Sequence, residues 1–150
     1  LKIKKDKITL KIIKKIKSSG RPLQLKRCII NIIENAVRYS EKIIVELSSD
    51  DENIIINIID NGPGIPQNKH DDVFKPFFTL DPSRNKLKGE SGLGLTISRD
   101  IVRSHGGDIS LSKSILNGLK VTIIKANPTS TARAHQTVSS LVSNNCHGHF

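Results

Sequence analysis

Asn53-Ile-Ile-Ile-Asn-Ile-Ile-Asp60 runs straight into Asn61-Gly-Pro-Gly-Ile-Pro66, and the fold is decided by that passage. Ile54, Ile55, Ile56, Ile58 and Ile59 make the first half apolar on both faces, which predicts a strand central in a covered sheet. A polar turn, Ser49 to Glu52, separates it from Ile43 to Ser48, a second strand. Further upstream, Leu25, Ile29, Ile32, Ile33 and Ala36 recur at helical spacing, so Leu23 to Tyr39 is a helix that Pro22 suits as a start. Downstream lies a long irregular stretch, Gly62 to Ser91, with a brief helical turn expected at Asp71 to Phe74. Leu93 to Ser104 reads as a second helix, with Leu93, Ile97 and Ile101 along one face and Gly106 as its stop. Asp108 to Ser112 and Leu119 to Lys125 close the pattern as a hairpin around Asn117-Gly118. Near the N-terminus, Ile8, Leu10 and Ile12 alternate as in an edge strand, although Ile8, Ile12 and Ile16 also fit a basic amphipathic helix. Strand runs interrupted by two helices give an α+β class: a two-layer sandwich of one sheet with helices on one face.

Composition removes several function classes. The chain has 150 residues, 36% apolar and 25% charged, enough for one core. No run approaches the roughly 18 apolar residues of a membrane span. Two cysteines, Cys28 and Cys146, make no disulfide framework, which fits a reducing compartment. The chain opens on Leu1 and contains no methionine, so it reads as a piece of a longer protein. The net charge of +10 is local: residues 1–40 hold 12 basic and 2 acidic side chains, whereas 41–126 hold 11 and 12. A Lys-rich run of this kind suits nucleic acid or an anionic membrane, but a solvated face is the commoner outcome. With four Phe, one Tyr and no Trp, a stacking platform for single strands is poorly supplied, and no nucleic-acid partner is expected. The division expected is a basic strand or linker over 1–20, one domain over 21–126, and a Ser/Thr/Asn/His-rich disordered tail over 127–150. Within that tail Cys146-His147-Gly148-His149 lacks a fourth metal ligand.

Four segments carry chemistry. Asn31, Glu34, Asn35 and Arg38 share one face of the first helix, where two Asn are poor helix formers. Amide oxygens suit Mg²⁺ and an arginine one turn on suits a phosphate, while an ordinary solvated face is the alternative. Asp60, at the end of the central strand, is an acceptor needing a donor, which the exocyclic amine of adenine would supply, with Gly62 and Gly64 letting a flat ring come close. The alternative is a tight turn, for which Asn-Gly and Pro-Gly are signals. Val73 to Phe78 holds three of the four Phe, either as a core patch or as the anchor of a lid whose Lys75, Arg84, Lys86 and Lys88 face a phosphate chain. A loop of some thirty residues is commonly a lid or binding segment. Gly89 to Leu95 places glycines before a helix N-terminus, an anion site that is neither a Walker A loop nor a Rossmann turn.

In this order, Asn31–Ser40, Asp60–Ile65, Phe74–Phe78 and Gly92–Leu95 resemble the N, G1, F and G2 boxes of the catalytic ATP-binding domain of sensor histidine kinases. This Bergerat fold is shared with gyrase, Hsp90 and mismatch-repair ATPases. Arg21-Pro22 and Asp81-Pro-Ser-Arg84 are similar to the osmosensing branch. The resemblance implies a mixed, mostly antiparallel sheet and the cofactors ATP and Mg²⁺. It implies that Asn35 holds the metal with Asn31 beside it, and that Arg38 and Tyr39 contact phosphate or ribose. It further implies that Asp60 receives the adenine amine, that Gly62 and Gly64 line the base, and that Ile65, Phe78 and Ile97 form apolar walls. On the same resemblance the Gly92 and Gly94 amides would face the phosphates, Leu93 and Leu95 would belong to the same nucleotide-binding segment, and Glu34 would polarise the acceptor imidazole. The implied partners are the parent kinase's dimerisation and phosphoacceptor domain and, indirectly, a response regulator. The implied location is cytoplasmic, on the cytosolic side of the inner membrane for a membrane sensor.

The chain also departs from the family pattern. Hydrolysing members carry a Glu four residues before the Mg²⁺-binding Asn; Asn31 stands there, which disfavours hydrolysis and favours transfer. Glu90 replaces a usual glycine, the last strand ends in Lys125-Ala-Asn-Pro128, and no phosphoacceptor histidine segment is present. The alternatives are an ATPase or serine kinase of the same fold, a basic module for nucleic acid or membrane surfaces, and a decayed fragment without nucleotide binding.

Overall fold

The computed structural model describes residues 7–13, 17–18, 21–50, 53–80, 92–126 and 136–137. β1 (Ile8–Ile12), α1 (Pro22–Tyr39), β3 (Ile43–Ser49), β4 (Asn53–Asp60), α2 (Gly94–Ser104), β5 (Gly107–Lys113) and β6 (Leu119–Ala126) form the body. The remaining pair, β2 (Lys17–Ser18) and β7 (Gln136–Thr137), makes a two-residue antiparallel ladder. The main sheet has the order β1-β3-β4-β6-β5. β1 runs parallel to β3, with Ile8 opposite Ile43, and the other three pairings are antiparallel. The strand alternative for Ile8 to Ile12 is thus the one adopted, and this strand belongs to the same sheet as residues 43–126. Its neighbourhood carries lysines in surface pairs, Lys7 with Glu41 at 3.0 Å and Lys11 with Glu46 at 3.7 Å. No helix among the described residues is long and apolar enough to cross a membrane. Of the tail expected to be disordered, Gln136–Thr137 is the described part; the rest of 127–150 lies outside the described residues.

Both helices lie over one face. Alternation sends Ile54, Ile56 and Ile58 of β4 into the core with Val45 and Leu47 of β3 and Val121 and Ile123 of β6. Cys28, Ile29, Ile32, Ile33 and Ala36 of α1 cover them. The opposite face of β4 is less apolar than its isoleucines suggest. Ile55 and Asn57 are half-buried there, and Asn57 Oδ1 accepts the Thr122 hydroxyl at 2.9 Å.

α2 corrects one expectation. Ile101 packs on the core as expected, but Leu95, Ser98 and Val102 are there in place of Leu93 and Ile97. Ser98 fits among apolar neighbours because its hydroxyl donates to the Cys28 carbonyl at 3.3 Å, while the Cys28 thiol donates to the Ser98 carbonyl at 3.6 Å. Small side chains on both helices allow that approach. Burial pushes the Cys28 thiol up to about 12, although the Ser98 contact pulls the other way. At the far end, Arg21 N–H donates to His105 Nε2 at 3.0 Å, so the start of α1 is tied to the end of α2. Gly106 then takes φ +75° and ends α2 as its sequence position indicates.

Candidate functional site

Asp60 closes β4 at the edge of a cleft of about 450 Å³. Its carboxylate is buried and fixed by the backbone: Oδ1 accepts Gly62 N–H at 2.8 Å and Leu119 N–H at 3.1 Å. Its carbonyl accepts the buried Ser114 hydroxyl at 2.6 Å. Asn61 pins the same corner from outside, its Oδ1 accepting Glu41 N–H and Lys42 N–H at 3.0 and 2.8 Å. One carboxylate oxygen is thereby held by two N–H donors, and Asp60 lines the cleft as an oriented acceptor.

The support from the β5–β6 connection has no local signal in the sequence. Leu119 lies 59 positions from Asp60, and Asn117-Gly118 reads simply as a hairpin turn. A Cβ on Gly118 would stand 2.4 Å from Asp60 O and Oδ1 and 2.6 Å from Gly62 N, so only glycine fits. Ser114, Gly118, Leu119 and Val121 are therefore site residues that the sequence did not reveal. Of these, Leu119 and Val121 line the cleft itself, together with Pro63, Val73, Thr79 and Leu80.

Across the cleft stands the polar stripe of α1. Asn31, Glu34, Asn35, Arg38 and Tyr39 all line it, as their helical spacing requires. Gly92, Gly94 and Leu95 line it at the start of α2, which has no side-chain N-cap. The positive end of that helix therefore opens onto the cavity. Gly94 lies close to α1: a Cβ there would sit 3.9 Å from Asn35 Nδ2. Gly64 (φ +72°) and Ile65 line the side next to Asp60, and Phe78 completes the wall.

Several expected residues lie elsewhere. Gly62 does not line the cleft; its missing Cβ would meet Tyr39 O at 2.7 Å, so it lets the chain pass the end of α1. Leu93 is the residue flanking α2, and Ile97 lies a turn beyond Gly94; neither lines the cleft. Lys75 is not turned to the cavity but bonds Asp72 Oδ1 at 2.6 Å, a neighbour one short turn away. The three phenylalanines separate: Phe74 packs on the core, Phe78 lines the cleft, and Phe77 is 73% exposed with φ +62°. Arg84, Lys86, Lys88 and Glu90 lie outside the described residues.

The family profile described as histidine kinase-, DNA gyrase B- and HSP90-like ATPase matches residues 20–130. The chain belongs to this family. Within it, the sensor histidine kinase GtrS of Pseudomonas aeruginosa is 39% identical over 105 residues, covering 69% of this chain and 21% of that protein. The sensor histidine kinase CpxA of Escherichia coli is 36% identical over 105 residues, covering 69% and 23%. The chain thus spans less than a quarter of the length of these two kinases. Among solved structures, the mycobacterial sensor histidine kinase MprB superposes with a TM-score of 0.70 at 26% identity, over 81% of both chains. This histidine-kinase-like ATPase domain has the α+β sandwich of its family, and it is of the ATP-binding catalytic type found in two-component kinases.

The donor set fits the nucleotide and its metal. Asn31 and Asn35 offer amide oxygens, hard ligands that suit a divalent ion, and the Glu34 carboxylate stands beside them on the same cleft. Arg38 and the N-terminus of α2 complement a polyphosphate from two sides.

Proposed function

We propose that this chain binds Mg-ATP and donates its γ-phosphoryl group to a histidine on a dimerisation domain outside it. The observation that carries the proposal is one cavity shared by a backbone-fixed carboxylate, a stripe of amides and a helix N-terminus. Asp60 accepts the adenine amine. Asn35, with Asn31 beside it, would hold Mg²⁺, which neutralises phosphate charge when bound. Arg38 and the α2 amides orient the phosphates, and the apolar wall of Ile65 and Phe78 excludes water from the base.

In the transfer, the bond between the γ-phosphorus and the bridging oxygen breaks, an imidazole nitrogen–phosphorus bond forms, and ADP leaves. Asn31, where hydrolysing relatives carry a general base, supports transfer over rapid hydrolysis. Glu34 is placed to polarise the incoming imidazole, and a response regulator would take the phosphoryl group next. Such a domain works where ATP is, in the cytoplasm, at the cytosolic face of the inner membrane for a membrane-bound parent.

Calorimetric titration of Mg-ATP into the chain tests the assignment. Wild type binds; Asn35→Ala loses binding in a Mg²⁺-dependent manner; Asp60→Ala loses it with or without the metal. A wild type that shows neither heat nor a thermal shift would overturn the assignment, and steady ATP turnover by the isolated chain would replace transfer by hydrolysis.

A further inference from the structure

Arg99 sits on the second turn of α2, and nothing in the nucleotide site uses it. Its Nε donates to Asp108 Oδ1 at 3.1 Å, and its guanidinium carbon lies 4.3 Å from the centroid of the Phe74 ring. The side chain is only 23% exposed. Arg103 reaches the same carboxylate by itself, Nε to Oδ1 and Nη2 to Oδ2, both at 3.2 Å. The tie between α2 and β5 therefore stands without Arg99. What Arg99 adds is a grip on Phe74.

Phe74 is held to α2 at two points. Its ring lies under the guanidinium, and its carbonyl accepts the Thr96 hydroxyl at 2.8 Å. Residues on either side of it face the cleft, Val73 before and Phe78, Thr79 and Leu80 after. Between them the chain turns sharply. Phe78 N–H bonds Lys75 O at 3.2 Å, and Phe77, in the left-handed region, donates its N–H to Gly92 O at 3.1 Å. A Cβ on Gly92 would come within 2.9 Å of the Phe77 backbone, so that crossing is tight. Fixing Phe74 on α2 thus fixes one wall of the cleft relative to Gly92 and Gly94, which open the same helix.

We propose that Arg99 is a positioning residue for nucleotide binding, clamping Phe74 so that the wall from Val73 to Leu80 keeps its place beside the α2 N-terminus. This rests on the assignment of the cleft to Mg-ATP. A cation over an aromatic face, partly desolvated, is an attraction that loss of charge removes and loss of the ring removes equally.

The test titrates Mg-ATP into Arg99→Met, Phe74→Leu, their double variant and Arg103→Met, with thermal denaturation of each. Arg99→Met raises Kd about fivefold, and the double variant binds no more weakly than Phe74→Leu alone, because the two act through one contact. Arg103→Met lowers Tm while Kd stays within about twofold, since its contacts stop at Asp108. Equal loss of affinity in the two arginine variants would mean that both act through helix stability, and would overturn the proposal. So would full additivity of Arg99→Met and Phe74→Leu. Should Arg99→Met not fold, Arg99→Lys decides: keeping a cation by the ring, it must bind more tightly than Phe74→Leu, and the reverse order sinks the idea. A wild type that binds no Mg-ATP takes this proposal down with the assignment beneath it. Wild-type affinity in Arg99→Met, with Asp60→Ala still inactive, removes the clamp alone.

Discussion

At one side of the cleft Asp60 is gripped by Gly62 N–H, Leu119 N–H and the Ser114 hydroxyl, all on strands or tight turns. At the other side Asn31, Glu34 and Asn35 stand half-buried on α1, their side chains making no hydrogen bond or ion pair among the described residues. The first half is organised by folding. Its geometry is complete before any ligand arrives, so altering it disturbs the fold as well as the site. The second half keeps its polar groups facing the cavity, where a charged ligand organises them, so truncation there costs affinity with little loss of stability.

Gly118→Ala attacks the comparison most directly. The added Cβ overlaps Asp60 and Gly62, and relieving that overlap costs roughly 3 kcal/mol. Adenosine and Mg-ATP should both weaken by about 100-fold in calorimetry, with Tm falling in parallel. An unchanged Kd would show that Asp60 is not fixed as described. Ser114→Ala is the milder version: it leaves the Asp60 carbonyl and the Leu116 and Gly118 N–H groups without their buried partner, for about 1–3 kcal/mol in chemical denaturation. Set beside it, Asn35→Ala should shift stability by no more than about 0.5 kcal/mol while losing Mg-ATP, which separates the two halves in a single pair of measurements.

The smallest effect concerns the mounting on β5 of α2, the helix packed beside α1. Arg103, foremost, and Arg99 hold the Asp108 carboxyl down at about 2. A carboxylate depressed in the folded state lends stability above its unfolded pKa, and loses it as pH falls from about 4 towards 2. Because the side chain is half-exposed, the contribution is below about 1 kcal/mol, and Asp108→Asn should flatten that part of the acid-denaturation curve. A curve unaltered by the substitution would mean that the pair does not stabilise α2.

Much of the fold and of the site is legible in the residues. The isoleucine run from Ile54 to Ile59 has a pattern only a central strand satisfies, and the spacing of Asn31, Glu34, Asn35 and Arg38 puts them together on any helix. Gly62 is required for a different reason than its motif suggests: the Tyr39 carbonyl, and not a flat ring, leaves no room for a side chain. The periodicity of α2 misleads because a serine does not look like a core position, and only the facing Cys28 carbonyl explains why a hydroxyl is tolerated there.

Local periodicity determined the two helices, the strands from Ile43 to Lys125 and the polar stripe, since each depends on neighbours a few residues away and on a fixed rise and turn per residue. For Ile8–Ile12 it left strand and helix open, and pairing with β3 decided. The tertiary structure decided what holds Asp60, where Gly62 and Lys75 point, and why Arg99 reaches Phe74. Most of those contacts join residues far apart in the chain, and whether a given N–H or guanidinium finds its partner depends on how the elements pack, a quantity no short stretch of sequence contains.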